Sequence, residues 1–259
     1  MAAPRNEMKQ RLAAGEMQIG LWIGFTHPTV AEITASAGYD FCLIDGEHGP
    51  NDVQTILAQL QAMAGGSATP VVRVPIFEEW ILKQVLDLGA QSVLIPMIDT
   101  PEAARAAVAA TRYAPEGRRG LGSALARASG YNAIADYATT ANREICVMVQ
   151  AETREALDNI EEIAGTDGVD VVFIGPADLS ADMGYLGNSD HPEVKAAIEE
   201  AIAKIRAAGK SAGIITLDPN ALIYYKDIGV NFLAVGADIT TYGAAVRELS
   251  AKARKDLGL

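Results

Sequence analysis

The sequence contains few of the residues on which several protein classes depend. It has two cysteines and three histidines in 259 residues, so a disulfide framework and a cysteine-rich metal site are both excluded. No apolar run approaches the roughly 20 residues that a membrane-spanning helix needs, and the first residues lack the apolar segment of a signal peptide. We therefore expect a cytoplasmic protein in which Cys42 and Cys146 are inert core residues.

Positive charge is also scarce. The chain has 33 acidic and 21 basic residues, which gives a net charge of −12. A nucleic-acid-binding surface requires clustered Lys and Arg, so this balance argues against one. Hydrophobic residues make up 49% of the chain, which is enough for a substantial core. No segment has the composition of a linker, and we expect a single domain over residues 1–259.

Short apolar runs rich in Val, Ile, Leu and Phe recur along the chain. They are continuous rather than alternating, which is typical of parallel strands that are covered on both faces. The eight runs are residues 19–25, 41–44, 71–74, 93–98, 145–149, 171–174, 212–215 and 232–235.

Segments with helical periodicity separate most of these runs. Several begin at a proline, as helices often do, and four end at a glycine that suits the left-handed cap of a helix. The prolines are Pro28, Pro101 and Pro192, and the glycines are Gly38, Gly89, Gly168 and Gly229. Eight such units predict a (β/α)8 TIM barrel, an α/β fold. A doubly wound open sheet is the alternative, but the Gly-rich first turn that it normally carries is absent.

Two segments extend this pattern. Residues 242–259 predict a helical C-terminal extension. Residues 113–142 form an insertion between the fourth helix and the fifth strand, and long loops of this kind are often functional. An active-site cover and a subunit contact are both plausible uses of the insertion.

Polar residues collect where the predicted strands end. Barrel enzymes carry out their chemistry at these carboxyl ends. The residues are Asp45, Glu47 and His48 after the second strand, Arg73 in the third, Gln150 and Glu152 at the fifth, Gly175 to Asp178 after the sixth and Asp238 after the eighth.

Glu152 and Asp178 follow consecutive strands, so their carboxylates can converge. Two such oxygen ligands without a nearby cysteine suit Mg²⁺, Mn²⁺ or Co²⁺ with positions left open for substrate. The alternative is that each carboxylate caps the helix that follows it. Because both residues occur together with Gln150, we favour a metal site.

Arg73 lies within an apolar strand, where an unpaired charge is very costly, so it needs an anion. A structural ion pair with a barrel carboxylate is one possibility. Recognition of a substrate carboxylate by the guanidinium fork is the other.

His48 is the best candidate for a general base, because Asp45 could orient its ring. A solvated turn is the alternative. His27 and His191 each precede a proline and are expected to cap helices. No lysine follows a strand end, which disfavours a Schiff-base mechanism.

Six blocks of the sequence resemble the HpcH/HpaI aldolase family, the metal-dependent class II pyruvate aldolases. The blocks are residues 41–50, 71–75, 91–100, 113–122, 149–152 and 172–180. The resemblance implies a barrel enzyme that reversibly cleaves 4-hydroxy-2-oxo acids into pyruvate, or a close relative, and an aldehyde. It also implies a hexamer whose active sites lie near subunit contacts and whose C-terminal helix packs on a neighbour.

The resemblance assigns roles to individual residues. It implies a divalent metal ion on Glu152 and Asp178 and a catalytic His48 that Asp45 and Asp87 support. It also implies pyruvate binding by Arg73 and Gln150, with the backbone of residues 175–177 (Gly175, Pro176 and Ala177) at the substrate carboxylate.

The chain departs from the family pattern at residues 126–132 and 214–217. Both segments are candidates to face the aldehyde, so the family's substrate preference is not transferred. Three alternatives remain open: a related barrel lyase acting on acyl-CoA thioesters, a racemase or isomerase, and a non-catalytic 2-oxo acid sensor.

Overall fold

Eight parallel strands form a closed barrel. In the computed structural model, which describes residues 1–259, each strand pairs with the next and the eighth pairs with the first. The strands are β1 (Gln18–Ile23), β2 (Phe41–Asp45), β3 (Thr69–Arg73), β4 (Ser92–Ile95), β5 (Cys146–Ala151), β6 (Val171–Ile174), β7 (Ser211–Ile215) and β8 (Phe232–Ala237). The predicted (β/α)8 TIM barrel is confirmed, and the open sheet is excluded.

Helices connect successive strands and pack around the barrel. They are α1 (Glu7–Ala13), α2 (Pro28–Ala35), α3 (Val53–Ala62), α4 (Glu79–Asp87), α5 (Pro101–Thr111), α6 (Tyr137–Thr140), α7 (Arg154–Asp158), α8 (Ile160–Gly165), α9 (Pro176–Asp182), α10 (Pro192–Ala207), α11 (Leu222–Asp227) and α12 (Asp238–Leu257). No helix is both long enough and apolar enough to cross a membrane.

Local sequence signals set many of the helix ends. The Nδ1 atom of His27 accepts a hydrogen bond from the Thr29 N–H at 3.2 Å, and His191 caps α10 in the same way. Both capping predictions are therefore confirmed. The four predicted cap glycines have φ angles of 95°, 101°, 89° and 106°, at Gly38, Gly89, Gly168 and Gly229. This left-handed conformation is open to glycine at little cost.

The barrel interior is filled by aromatic, aliphatic and sulfur-containing side chains. The rings of Phe41 and Phe232 stack with their centroids 3.9 Å apart. Met8 and Leu12 of α1 join the same buried cluster. Because α1 directly precedes β1, it closes the amino end of the barrel and leaves the carboxyl end for the site.

The two cysteines are free and buried. Burial raises the pKa of the Cys42 thiol to about 12, and it raises the pKa of Cys146 as well. Thiols in this state are poor nucleophiles, which agrees with the predicted inert role.

The insertion at residues 113–142 is anchored to the end of α4. Arg119 is fully buried as a side chain, and its Nη2 atom lies 2.6 Å from Oδ1 of Asp87. The Arg119 guanidinium also lies 4.4 Å from the centre of the Tyr113 ring. Leu125 and Tyr131 are exposed on the same insertion. Both uses proposed for the segment stay predictions.

Candidate active site

The polar residues named above lie at the carboxyl end of the barrel. Asp45 and Arg73 are the last residues of β2 and β3, and Glu152 directly follows β5. Gly175 follows β6, and Asp178 lies in the first turn of α9. The fold therefore brings side chains that are distant in sequence to one edge of the barrel.

A buried ion pair joins β2 to β3. Arg73 donates from Nε and Nη2 to the two carboxylate oxygens of Asp45 at 2.9 and 2.8 Å. Its Nη1 atom lies 2.7 Å from Oε2 of Glu47, and its guanidinium carbon lies 5.0 Å from the centre of the Trp22 ring. Of the two alternatives for Arg73, the structural ion pair is present, and Asp45 occupies the fork that would grip a substrate carboxylate.

The ion pair keeps Asp45 charged. Burial by itself would raise the pKa of Asp45, but the hydrogen bond and charge of Arg73 together hold this pKa below its usual value. The backbone N–H groups of Glu47 and His48 lower it further. Asp45 is therefore an anion at neutral pH.

His48 is exposed, and its ring makes no hydrogen bond to Asp45. Oδ1 of Asp45 instead accepts the backbone N–H of Glu47 at 3.0 Å and the backbone N–H of His48 at 3.3 Å. In the single chain Asp45 therefore contacts the backbone of His48 and not its imidazole, and its support of a catalytic His48 stays a prediction. Asp45 fixes the loop that carries His48. Burial raises the pKa of Glu47, and the nearby charges of Arg73 and His48 partly offset this rise.

Asp87 does not reach His48 within one chain. It is the last residue of α4, and this helix runs back from the carboxyl end of the barrel to the amino end, where β4 begins. Its carboxylate is paired with Arg119. The expected support of His48 by Asp87 is therefore absent from the single chain.

Glu152 is the most deeply buried acid of the site, with 1% of its surface exposed. Its Oε1 atom accepts the backbone N–H of Met97 at 3.0 Å, and its Oε2 atom accepts a hydrogen bond from Gln150. Burial raises the pKa of Glu152 to about 7, and the like charges of Asp178 and Glu47 raise it as well. A cation beside Glu152 would favour its ionised form at neutral pH.

The alternative helix-capping roles of Glu152 and Asp178 are not observed. The side chain of Thr153 caps α7 by accepting the Ala156 N–H, and no side chain caps α9. Neither carboxylate is needed to begin a helix.

The residues present fit a divalent cation. Glu152, Asp178 and Glu47 are close enough for their charges to interact, and Oε1 of Gln150 is buried without a hydrogen-bond partner. No group of three His, Cys, Asp or Glu side chains is arranged to hold a metal ion. Two carboxylates would leave the remaining positions of a hard cation to water and substrate oxygens, as Mg²⁺ sites usually do.

Gly175 makes room for this arrangement. A Cβ atom at Gly175 would lie 2.3 Å from Oε2 of Glu152 and 3.0 Å from Nε2 of Gln150. Only glycine therefore allows the end of β6 to approach the two β5 side chains this closely.

A cavity of about 480 Å³ adjoins the segment after β6. It is lined by residues that include Pro176, Ala177, Thr216, Leu217, Asp218 and Tyr225. Two of the predicted substrate-binding residues, Pro176 and Ala177, thus line a cavity at the same end of the barrel as Glu152.

Sequence reasoning missed two residues of the site, Trp22 and Met97, and gave no role to a third. Glu47 is among the polar residues after the second strand, but nothing in the sequence indicates its contact with Arg73. Trp22 lies beneath Arg73, but an aromatic residue in a strand carries no signal for this contact. Met97 contributes only its backbone N–H, so its side-chain type could not reveal it.

The fold and its polar groups define a (β/α)8 barrel with an acidic site at the carboxyl ends of its strands. Residues 18–245 match the model of the HpcH/HpaI aldolase/citrate lyase family. The chain therefore belongs to this family, and the resemblance seen in the sequence is confirmed.

Relatives and a solved structure match nearly the whole chain. A hydroxypyruvate/pyruvate aldolase of Agrobacterium fabrum is 52% identical over 252 residues, which cover 97% of this chain and 95% of the relative. A 4-hydroxy-2-oxo-heptane-1,7-dioate aldolase of Salmonella newport is 54% identical over 248 residues, with 96% and 94% covered. The structure of a family member from Burkholderia cenocepacia J2315 superposes with a TM-score of 0.93 at 39% identity and covers 96% of this chain and 99% of that one.

Proposed function

We propose that this chain is a metal-dependent aldolase, a carbon–carbon lyase. It reversibly cleaves 4-hydroxy-2-oxo acids into pyruvate, or a close 2-oxo acid, and an aldehyde. Two of the relatives described above are named as aldolases and share more than half of their aligned residues with this chain. The proposal treats residues 1–259 as one catalytic domain.

The observation that carries the proposal is the environment of Glu152. A carboxylate that is almost fully buried and lies near two other acids has a pKa of about 7. Such a cluster is costly to charge unless a cation joins it. A Mg²⁺, Mn²⁺ or Co²⁺ ion held by Glu152 and Asp178 would supply Lewis-acid polarisation of a bound 2-oxo acid.

The residues around this position bind and orient the substrate. Gln150 holds one oxygen of Glu152. The Ala177 N–H, in the first turn of α9, is available to a carboxylate. Arg73 is paired with Asp45 and Glu47, so a substrate carboxylate that binds Arg73 would displace Glu47 from Nη1. Gly175 and Pro176 contribute to substrate binding through the backbone conformation of the segment between β6 and α9.

His48 acts as the base in this proposal. It accepts the proton of the C4 hydroxyl group as the C3–C4 bond breaks, and the electron pair of that bond remains on the 2-oxo acid fragment. An exposed imidazole at the rim can exchange this proton with solvent. Asp45 contributes indirectly, because it fixes both Arg73 and the loop of His48.

The proposal also includes assembly and location. Ile239, Tyr242, Val246 and Leu249 form an exposed apolar stripe on α12, which supports packing of this helix on a second copy of the chain in a hexamer. The two free, buried thiols support a reducing, cytoplasmic compartment.

Metal-stripped protein tests the function. It should release no pyruvate from a panel of 4-hydroxy-2-oxo acids, and Mg²⁺, Mn²⁺ or Co²⁺ should restore the release. Activity that resists the chelator would refute the metal-dependent mechanism. Tight binding of coenzyme A would favour an acyl-CoA lyase, and binding of pyruvate without turnover of any substrate would favour a sensor.

A further inference from the structure

We propose that Met97 is a positioning residue for Glu152, acting through its backbone. The inference rests on the proposed function, because it concerns how one of the two proposed metal ligands is held. The side chain of Met97 does not indicate this role. The role is indicated by its backbone conformation and by one hydrogen bond from its N–H group.

Met97 has an unusual backbone conformation. Its φ angle is 53°, and the only other non-glycine residues with positive φ are Tyr131 and Asn132 in the insertion. An unbranched, non-glycine residue enters this left-handed region at a cost, and such residues cluster at functional sites. In this conformation the Met97 N–H points at Oε1 of Glu152, 3.0 Å away.

Neighbouring hydrogen bonds hold Met97 in place. The N–H of the next residue, Ile98, donates to the Gln150 carbonyl at 3.0 Å. The Thr153 hydroxyl donates to Oδ1 of Asp99 at 2.6 Å, and the Asn159 side chain donates to the Asp99 carbonyl at 2.8 Å. The loop after β4 is thus fixed to β5 and to the segment that follows it, and this explains how the strained conformation persists.

The consequence is a carboxylate whose orientation is set from two sides. Gln150 holds Oε2, and the Met97 N–H holds Oε1. These two hydrogen bonds fix the orientation of the Glu152 carboxylate group. A cation that binds its remaining lone pairs therefore meets a ligand that is already ordered. The Met97 side chain is about half exposed, so its chemical type is not what fixes Glu152.

Three substitutions separate the backbone from the side chain. Met97→Leu keeps a side chain without branching at Cβ and should leave the Kd for Mn²⁺ within about twofold of wild type. Met97→Gly keeps the N–H and favours positive φ, so the Kd should stay within about threefold. Met97→Val is β-branched and disfavours the left-handed region, so the Kd should rise about tenfold or more. Isothermal titration of the metal-free protein measures each value without reference to activity.

Asn132→Val is the matched control, because Asn132 also has positive φ, at 73°, but lies in the insertion. Its Kd for Mn²⁺ should equal that of wild type. Far-UV circular dichroism establishes that each variant is folded. If Met97→Val does not fold, replacement of the residue 97 amide by an ester removes the N–H alone and should raise the Kd by a similar factor.

The outcomes distinguish this inference from the proposed function. If wild type binds Mn²⁺ and neither the Val variant nor the ester changes the Kd, Met97 does not position Glu152. If wild type itself binds no Mn²⁺, the metal-dependent function fails first. If Met97→Leu weakens binding as much as Met97→Val, the side chain matters and the backbone role is rejected.

Discussion

His48 illustrates how a single residue can carry the proposed chemistry without a rigid partner. Its imidazole is exposed and not bonded to Asp45, so substrate and solvent both have access to it. His48→Ala should lower kcat about 10²- to 10⁴-fold, the usual contribution of a general base, and leave the Kd for Mn²⁺ unchanged. Steady-state kinetics and metal titration measure the two effects.

His27→Ala is the control for His48, because His27 caps α2 and has no role in the proposed site. Its kcat should match wild type. Full turnover by His48→Ala would show that another group is the base.

The Asp45–Arg73 pair makes a prediction about stability. Asp45→Asn removes one of the two charged partners of the buried Arg73 guanidinium and leaves only Glu47, so it should lower the free energy of unfolding by about 3 kcal/mol. The control, Glu102→Gln, breaks a pair of exposed side chains and should cost less than about 0.5 kcal/mol. Urea denaturation measures both, and equal losses would contradict the structural importance of the buried pair.

The same pair sets the sign of a pH effect. Because the pKa of Asp45 is lowered in the folded chain, the pair contributes its full stability above the ordinary carboxyl pKa of about 4. That contribution is lost as the pH falls through the lowered pKa. The difference in stability between wild type and Asp45→Asn should therefore shrink below about pH 4.

At the scale of elements, the junction of β6 and α9 approaches the Glu152 side chain closely because Gly175 has no side chain. A Cβ at Gly175 would overlap Glu152, so Gly175→Ala should displace this carboxylate and raise the Kd for Mn²⁺ about tenfold. Gly165→Ala is the matched control, since a Cβ at Gly165 would meet no atom within 4 Å. Calorimetric titration distinguishes the two. Equal affinities would show that the close approach at Gly175 is not required.

The elements were largely predictable from sequence, and their contacts were not. Continuous apolar runs and cap glycines such as Gly38 are local signals, so strand number, helix order and barrel class could be read from the chain. The pairing of Arg73 with Asp45 depends on the register of β2 against β3, which places these two residues side by side. A residue pattern contains no such register, so substrate recognition and ion pairing could not be separated for Arg73.

Other parts of the site depend on three-dimensional packing. Within one chain, α4 carries Asp87 to the amino end of the barrel, where it pairs with Arg119, so its expected support of His48 stays a prediction. The contribution of Met97 is a backbone direction, which no side-chain motif encodes. The topology alone decides that Glu152 and Asp178 lie at the same end of the barrel, and their role as metal ligands stays a prediction.

At the scale of the whole molecule, α12 is the feature that one chain leaves unexplained. Most of this helix is exposed, including its apolar stripe. Leu249→Glu puts a charge in the apolar stripe of α12. The molar mass measured by sedimentation equilibrium should then fall below that of the proposed hexamer. Ala251→Glu changes an exposed position on the opposite face of α12 and should leave the mass unchanged. A wild-type chain that sediments as a monomer would refute the proposed assembly.

The central claim is that Glu152 and Asp178 together bind a divalent cation. A crystal grown with Mn²⁺ and pyruvate, with diffraction recorded at a wavelength where manganese scatters anomalously, tests this directly. We expect one anomalous peak per chain, within coordination distance of a carboxylate oxygen of each residue. A peak bound elsewhere, or the two carboxylates turned apart with no peak between them, would contradict the account.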